Sequence, residues 1–323
     1  MSDSIKQDAN EQGGSQSGPH SPLCGSNVTR PTNRTEDCAD HSISPMRAAW
    51  QRLMRQRLNA WAFWFLVVLV VLCGVGPELS PYDQSEQDLE LKATNPSIAH
   101  WLGTDPLGRD MLTRILHGGR VSLEVGLLAT AVASIIGVFY GLVSGLAGGR
   151  IDSAMMRVVD ILYAFPFINF VILLMVIVGR EFWLIFVAIG AVEWLTMARV
   201  VRGQVLALKN LEFITAARAS GAGFWHIVWK HLLPNVMGPV IIYASLTVPG
   251  VMLLEAALSF LGLGIQPPDA SWGVLIREGA NSMETYPWLL LYPGIFFSAT
   301  LLALNLLGDG LRDAFDPKSM SRQ

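Results

Sequence analysis

The chain has 323 residues, of which 51% are hydrophobic and only 15% charged, with a mean hydropathy of +0.40. That balance excludes an ordinary soluble domain and places the chain among polytopic membrane proteins. A formal net charge of -3 excludes the bulk basicity that a nucleic-acid partner requires.

Residues 1–45 are rich in Ser, Gly, Asn, Gln, Asp and Pro and poor in aromatics. Such a stretch cannot bury enough apolar surface to fold alone, so it reads as a disordered cytosolic tail. His20-x3-Cys24 and Cys38-x2-His41 lie in it with loosely metal-like spacing. The polar residues between them match no known metal-site spacing, so an incidental set is preferred and no metal site is assigned. Residues 46–59, with Arg47, Arg52, Arg55, Arg57 and Trp50, read as a basic interfacial helix.

A transmembrane helix needs about 20 apolar residues. Six runs qualify: 60–77, 121–145, 156–178, 182–200, 236–258 and 287–307. The expected fold is therefore an all-α polytopic membrane protein with six transmembrane helices. Run 60–77, which contains Cys73 as a small hydrophobe, is not a cleavable signal: it lies far from Met1 and leads into no A-x-A-like site. With the tail placed inside, inner segments hold 17 of the 23 Lys and Arg residues. The positive-inside rule then puts both termini in the cytosol.

An outer loop is expected at 78–120, with turn chemistry at Gly103-Thr104-Asp105-Pro106 and Gly108. A second outer segment, 259–286, contains glycines and the pair Pro267-Pro268, which forbid one continuous helix. In the second run Ala129, Ala133, Gly137, Gly141 and Gly145 recur at i, i+4, a small-residue stripe for close helix packing. Packing within the subunit is the preferred reading, and contact with another subunit is the alternative.

Pro166, Pro249 and Pro293 fall inside runs three, five and six, where each removes a backbone hydrogen bond and favours a kink. Charges inside spans usually face protein or water. Glu193, near the middle of run four, is the leading pathway candidate, with the three prolines beside it. Asp160 is expected to pair with a cytosolic Arg such as Arg157, Glu255 lies late in run five, and Glu124 lies near the outer edge, where water reaches it.

Residues 204–219 suit a helix, with Leu208, Leu211 and Ile214 along one row and Lys209, Glu212 and Thr215 along another. It is too polar to span and should lie flat at the inner surface. Gly221 and Gly223 end it and permit a sharp turn. A short helix, 224–232, follows, and Pro234 is expected to start span five. The segment reads as a lever joined to two spans.

These residues resemble the cytoplasmic loop of binding-protein-dependent ABC importer permeases, whose pattern is E-A-A-x3-G-x9-I-x-L-P. The chain has Thr215-Ala216-Ala217, Gly221 and His231-x-Leu233-Pro234 at that spacing; Thr215 stands for Glu and His231 for Ile. WLGTDPLGRD, SFLGLGIQPP, SWG and LGDGLRDAFDP look like the dipeptide/oligopeptide/nickel branch. VDILYAFPF, IFVAIGAVEWLTMARVVRGQ, YASLTVP and GANSM look most like its C-type oligopeptide permease. The likeness runs from about residue 46 to 318.

The resemblance implies a transmembrane domain over 60–318 with a cytoplasmic coupling loop at 201–235. Glu212, Phe213, Thr215, Ala216, Ala217, Arg218 and Gly221 would touch a cytosolic ATPase. The implied partners are a second homologous permease, two ATPase subunits, an extracytoplasmic peptide-binding protein, the peptide and membrane lipid. Localisation would be the bacterial inner membrane. The chain has no G-x-x-x-x-G-K-[ST] loop, so ATP and Mg are expected on partner subunits and no cofactor on this one. Import of nickel or another small solute by the same branch is the alternative. An ion-driven secondary transporter, an intramembrane enzyme and an assembly subunit are weaker rivals; the enzyme lacks any H-E-x-x-H or G-x-S-x-G.

Overall fold

The computed structural model describes residues 45–178, 182–266 and 269–315. The tail with its Cys and His residues, and Pro267 and Pro268, lie outside these. In chain order the helices are α1 (Pro45–Arg55), α2 (Arg57–Leu79), α3 (Met111–Ala147), α4 (Gly149–Ala164), α5 (Phe167–Val178), α6 (Phe182–Leu208), α7 (Glu212–Ala219), α8 (Phe224–His226), α9 (Leu233–Phe260), α10 (Trp272–Asn281) and α11 (Trp288–Phe315), with a π turn at Ile227–Leu232 between α8 and α9. Among the described residues there is no strand, only an isolated bridge between Thr104 and Asp110. Four helices are long and apolar enough to cross a membrane, or five if one bent pair is a single span.

The expected helix 46–59 breaks at Gln56, between α1 and α2. Leu53 is buried and Arg52 reaches the Ala314 carbonyl, so α1 is packed on the end of α11. Helix α3 begins at Met111, well before the apolar run at 121. Asp110 explains the early start: its carboxylate accepts from the Thr113 N–H at 2.9 Å and caps the helix.

The small-residue stripe packs α3 against α6 of the same chain. A Cβ added at Gly137 would lie 2.6 Å from Met197 Cβ, at Gly141 2.6 Å from the Ala198 carbonyl, and at Gly145 2.7 Å from Val205 Cβ. Dispersion at backbone-to-backbone range replaces the hydrophobic drive that lipid does not supply. The preferred packing reading therefore holds.

Run three, expected as one helix over 156–178, is broken. Gly149–Ala164 and Ile168–Leu174 meet at 86°. Phe165 has ψ 131°, the extended conformation that a following proline imposes, so Pro166 separates two helices instead of kinking one. Asp160 does pair with an Arg, but it is Arg199 on α6 at 3.0 Å and not Arg157, because α4 packs against α6. Arg199 also lies 4.5 Å over the Tyr163 ring.

The helix expected over 204–219 is interrupted at 209–211, and Leu211 is extended before α7. Pro234 sits in the first turn of α9, as expected, and the π turn joins α8 to α9 so that Phe224–Phe260 runs on without a break. The π turn absorbs the proline. The Leu233 N–H bonds five residues back to Val228 O, and the Asn235 side-chain amide donates to His231 O at 2.6 Å. The wider i to i−5 turn and this side-chain bond mark the change of helical pitch ahead of Pro234.

Candidate functional site

Helix α7 is short and one-sided. Ile214 is wholly buried in a cluster with Leu142 and Leu146 of α3, Val201 and Val205 of α6, Val228 of the π turn and Val236 of α9. Glu212, Phe213, Thr215, Ala216, Arg218 and Gly221 are exposed, and Ala217 is half-buried. One apolar anchor therefore fixes a helix whose other faces are open.

The end of α7 is set by Gly221, at φ +84°. The Gly221 N–H bonds to Arg218 O and the Ala222 N–H to Ala217 O, both at 3.0 Å, a Schellman closure. Gly223, expected to share this role, is extended at φ -70° and needs no glycine for that reason.

Polar links hold the surrounding helix ends. Arg202 on α6 grips Asp152 on α4 with two hydrogen bonds of 2.6 Å, and Ser144 of α3 donates to the same carboxylate. Lys209 Nζ donates to Gly145 O at the end of α3, 3.2 Å away. The α6–α7 junction is thereby tied to α3 by charge and by packing.

Phe213, Ala216, Ala217 and Gly221 line a groove of about 560 Å³ together with Gly223, His226 and His231. Glu212, Thr215 and Arg218 are not on it. Thr215 Oγ1 returns to the Leu211 carbonyl at 3.3 Å, and Glu212 has no ion pair among the described residues.

The four pathway candidates are not brought together. Pro166 lines an apolar cavity of about 730 Å³ between the α4–α5 break and α6, with Asn169, Phe170 and Trp194. Glu193 is half-buried on α6, between two residues that line this cavity, but does not line it itself. Pro249 and Pro293 are buried inside α9 and α11.

Two clusters at the other end of the molecule went unassigned from sequence. Asp105 accepts from Arg109 Nε at 2.6 Å and from Arg114 at 2.7 Å, and Arg114 also meets Glu278 of α10 at 2.9 Å. The turn at 104–108 positions Asp105, whose carboxylate also takes the Leu107 and Arg109 N–H groups. Deeper, Glu255 accepts from Ser259 and Ser271, each at 2.6 Å, and Ser122 Oγ takes the Trp272 N–H. This joins α9, α10 and α3 through a buried carboxylate. Glu124 is exposed and pairs with Arg120 at 3.2 Å.

Residues 133–321 match the family described as binding-protein-dependent transport system inner membrane component. Residues 44–96 match the N-terminal TM domain of oligopeptide transport permease C. The dipeptide transport system permease protein DppC of Bacillus subtilis is 46% identical over 288 residues, 88% of this chain and 90% of that one. The oligopeptide transport system permease protein OppC of Escherichia coli K12 is 49% identical over 278 residues, 84% and 92% of the two chains. A structure of the inward-facing MetNI methionine ABC transporter superposes with a TM-score of 0.52 at 19% identity, over 64% of this chain and 98% of that one, which shows a shared fold. The chain belongs to the family of binding-protein-dependent transport system inner membrane components.

Proposed function

We propose that this chain is one permease subunit of an ATP-driven importer that moves peptides across the bacterial inner membrane. A second homologous permease supplies the other half of the pathway. Two cytosolic ATPase subunits bind ATP and Mg, this chain binds no cofactor, and an extracytoplasmic binding protein delivers the peptide. Peptide cargo is supported by relatives named as dipeptide and oligopeptide permeases at 46% and 49% identity.

In this reading the spans are α2, α3, the bent pair α4–α5, α6, Phe224–Phe260 and α11, with both termini cytosolic. The tail is 1–45, the interfacial segment 46–59 and the transmembrane domain 60–318, with an outer loop within 78–120. Helix α7, within the cytoplasmic loop 201–235, is the coupling helix. Glu212, Phe213, Thr215, Ala216, Ala217, Arg218 and Gly221 present it to an ATPase. Pro166 and Glu193 border the pathway, while Pro249 and Pro293 shape the helices behind it.

The observation that carries the proposal is the construction of α7: open outward, and anchored through Ile214 into a cluster shared by α3, α6 and α9. A partner closing on α7 would move three spans together, which is how nucleotide-driven closure switches a gate between two packed states. The test is uptake of a labelled peptide by proteoliposomes holding the chain, its sister permease, the ATPases and the receptor. Accumulation that requires ATP supports the reading. Accumulation driven by an ion gradient without ATP, or purification of the chain with no ATPase attached, would refute it.

A further inference from the structure

The groove beside α7 contains two imidazoles that the coupling reading does not use. His226 and His231 are five residues apart. On an α-helix of 3.6 residues per turn such positions point roughly 140° apart. The π turn at Ile227–Leu232 brings residues at this spacing onto one side. The ring centres lie 5.8 Å apart at an interplanar angle of 52°. Both rings line the groove of about 560 Å³, which leaves room between them and α7.

Among the described residues, neither ring takes part in a hydrogen bond or an ion pair. Phe213 flanks His231 with ring centres 6.4 Å apart and walls one side. A metal held about 2.0–2.1 Å from each imidazole nitrogen sits roughly 3.2 Å from each ring centre, so two ligating rings at tetrahedral to trans angles have centres roughly 5.2–6.4 Å apart. The observed separation falls inside that interval.

We propose that His226 and His231 form a two-imidazole site for a divalent transition cation of the Zn, Cu or Ni class on the inner-face groove beside α7. Imidazole donors select this class over Mg or Ca, which prefer oxygen. Two protein ligands leave the remaining positions to water, so the site is an exchangeable one and not a structural centre. A cation bound there stiffens the π turn that leads into α9. Its effect on transport rests on the coupling reading; its occupancy does not.

The experiment therefore reads binding alone. Cu²⁺ is titrated into the full-length chain in lipid nanodiscs, without a histidine tag, in a background carrying H20Q, C24S, C38S and H41Q. Electron paramagnetic resonance should show one Cu²⁺ per chain with nitrogen coupling from two imidazoles. His226→Gln and His231→Ile should each weaken binding at least about tenfold and leave one coupled nitrogen. The second variant restores the apolar residue of the loop pattern, and size exclusion with circular dichroism verifies the fold of both. Unchanged affinity in the variants, or a spectrum without two nitrogens in the parent, would overturn the proposal.

Discussion

At the residue scale, two positions hold α7 in place: Gly221 at its end and Ile214 beneath it. Gly221 is at φ +84°, and a Cβ built there meets nothing within 4 Å. Any penalty of substitution is therefore conformational and not steric, about 1–2 kcal/mol for an ordinary L-residue. Gly221→Val should uncouple ATP hydrolysis from peptide uptake, whereas Gly221→Asn, which tolerates this conformation, should retain most of the coupling. Parallel ATPase and uptake assays on the reconstituted complex check both, and full coupling in the valine variant would show that the turn does not transmit motion. Ile214→Ala removes the sole wholly buried side chain of α7 and should cost about 2–5 kcal/mol locally. Faster proteolysis at 209–223 with the spans intact is the expected signature. At Glu193, replacement by Gln should alter the uptake rate without altering the amount of assembled complex, and unaltered uptake would remove it from the pathway.

At the element scale, the prediction concerns α3 against α6. Gly141→Leu must displace the Ala198 carbonyl and Val201, so the chain should fail to accumulate in the membrane. Gly203→Ala on α6, with nothing within 4 Å, should accumulate normally, and immunoblots of membrane fractions separate the two outcomes. In the loop between α2 and α3, Asp105→Ala leaves the buried guanidinium of Arg114 with Glu278 alone and should cost about 1–3 kcal/mol. Protease nicking between residues 88 and 110 of membrane-embedded protein should rise sharply. These elements also show what a sequence reveals. The i, i+4 small residues disclosed a packing face, because lipid leaves close backbone approach as the main association force. The Leu208, Leu211, Ile214 row contained the buried anchor of α7. The break at Pro166 was legible only as a kink, since proline fixes the preceding residue's conformation but not the angle between the flanking helices. The π turn that joins α8 to α9 was illegible, because it depends on tertiary packing around Ile227, Val228 and Leu232. Pairings such as Asp160 with Arg199 and Arg114 with Glu278 join residues far apart in sequence, and no local spacing encodes them.

At the scale of the whole molecule, the chain is a set of long helices bound to one another at both ends by different means. At one end, the ion cluster around Asp105 and the serine-lined Glu255 join α3, α9 and α10. At the other, Asp152–Arg202 and the Ile214 cluster join α3, α4, α6, α7 and α9. Under the proposed function, motion imposed on α7 would therefore reach several spans at once. The direct measurement is site-directed crosslinking from a cysteine placed by Ala216→Cys, on the exposed face of α7, in the assembled complex through the ATP cycle. The account predicts a crosslink to an ATPase subunit whose yield changes with nucleotide. An unlinked cysteine that stays open to a water-soluble maleimide in every nucleotide state of an intact complex would contradict it.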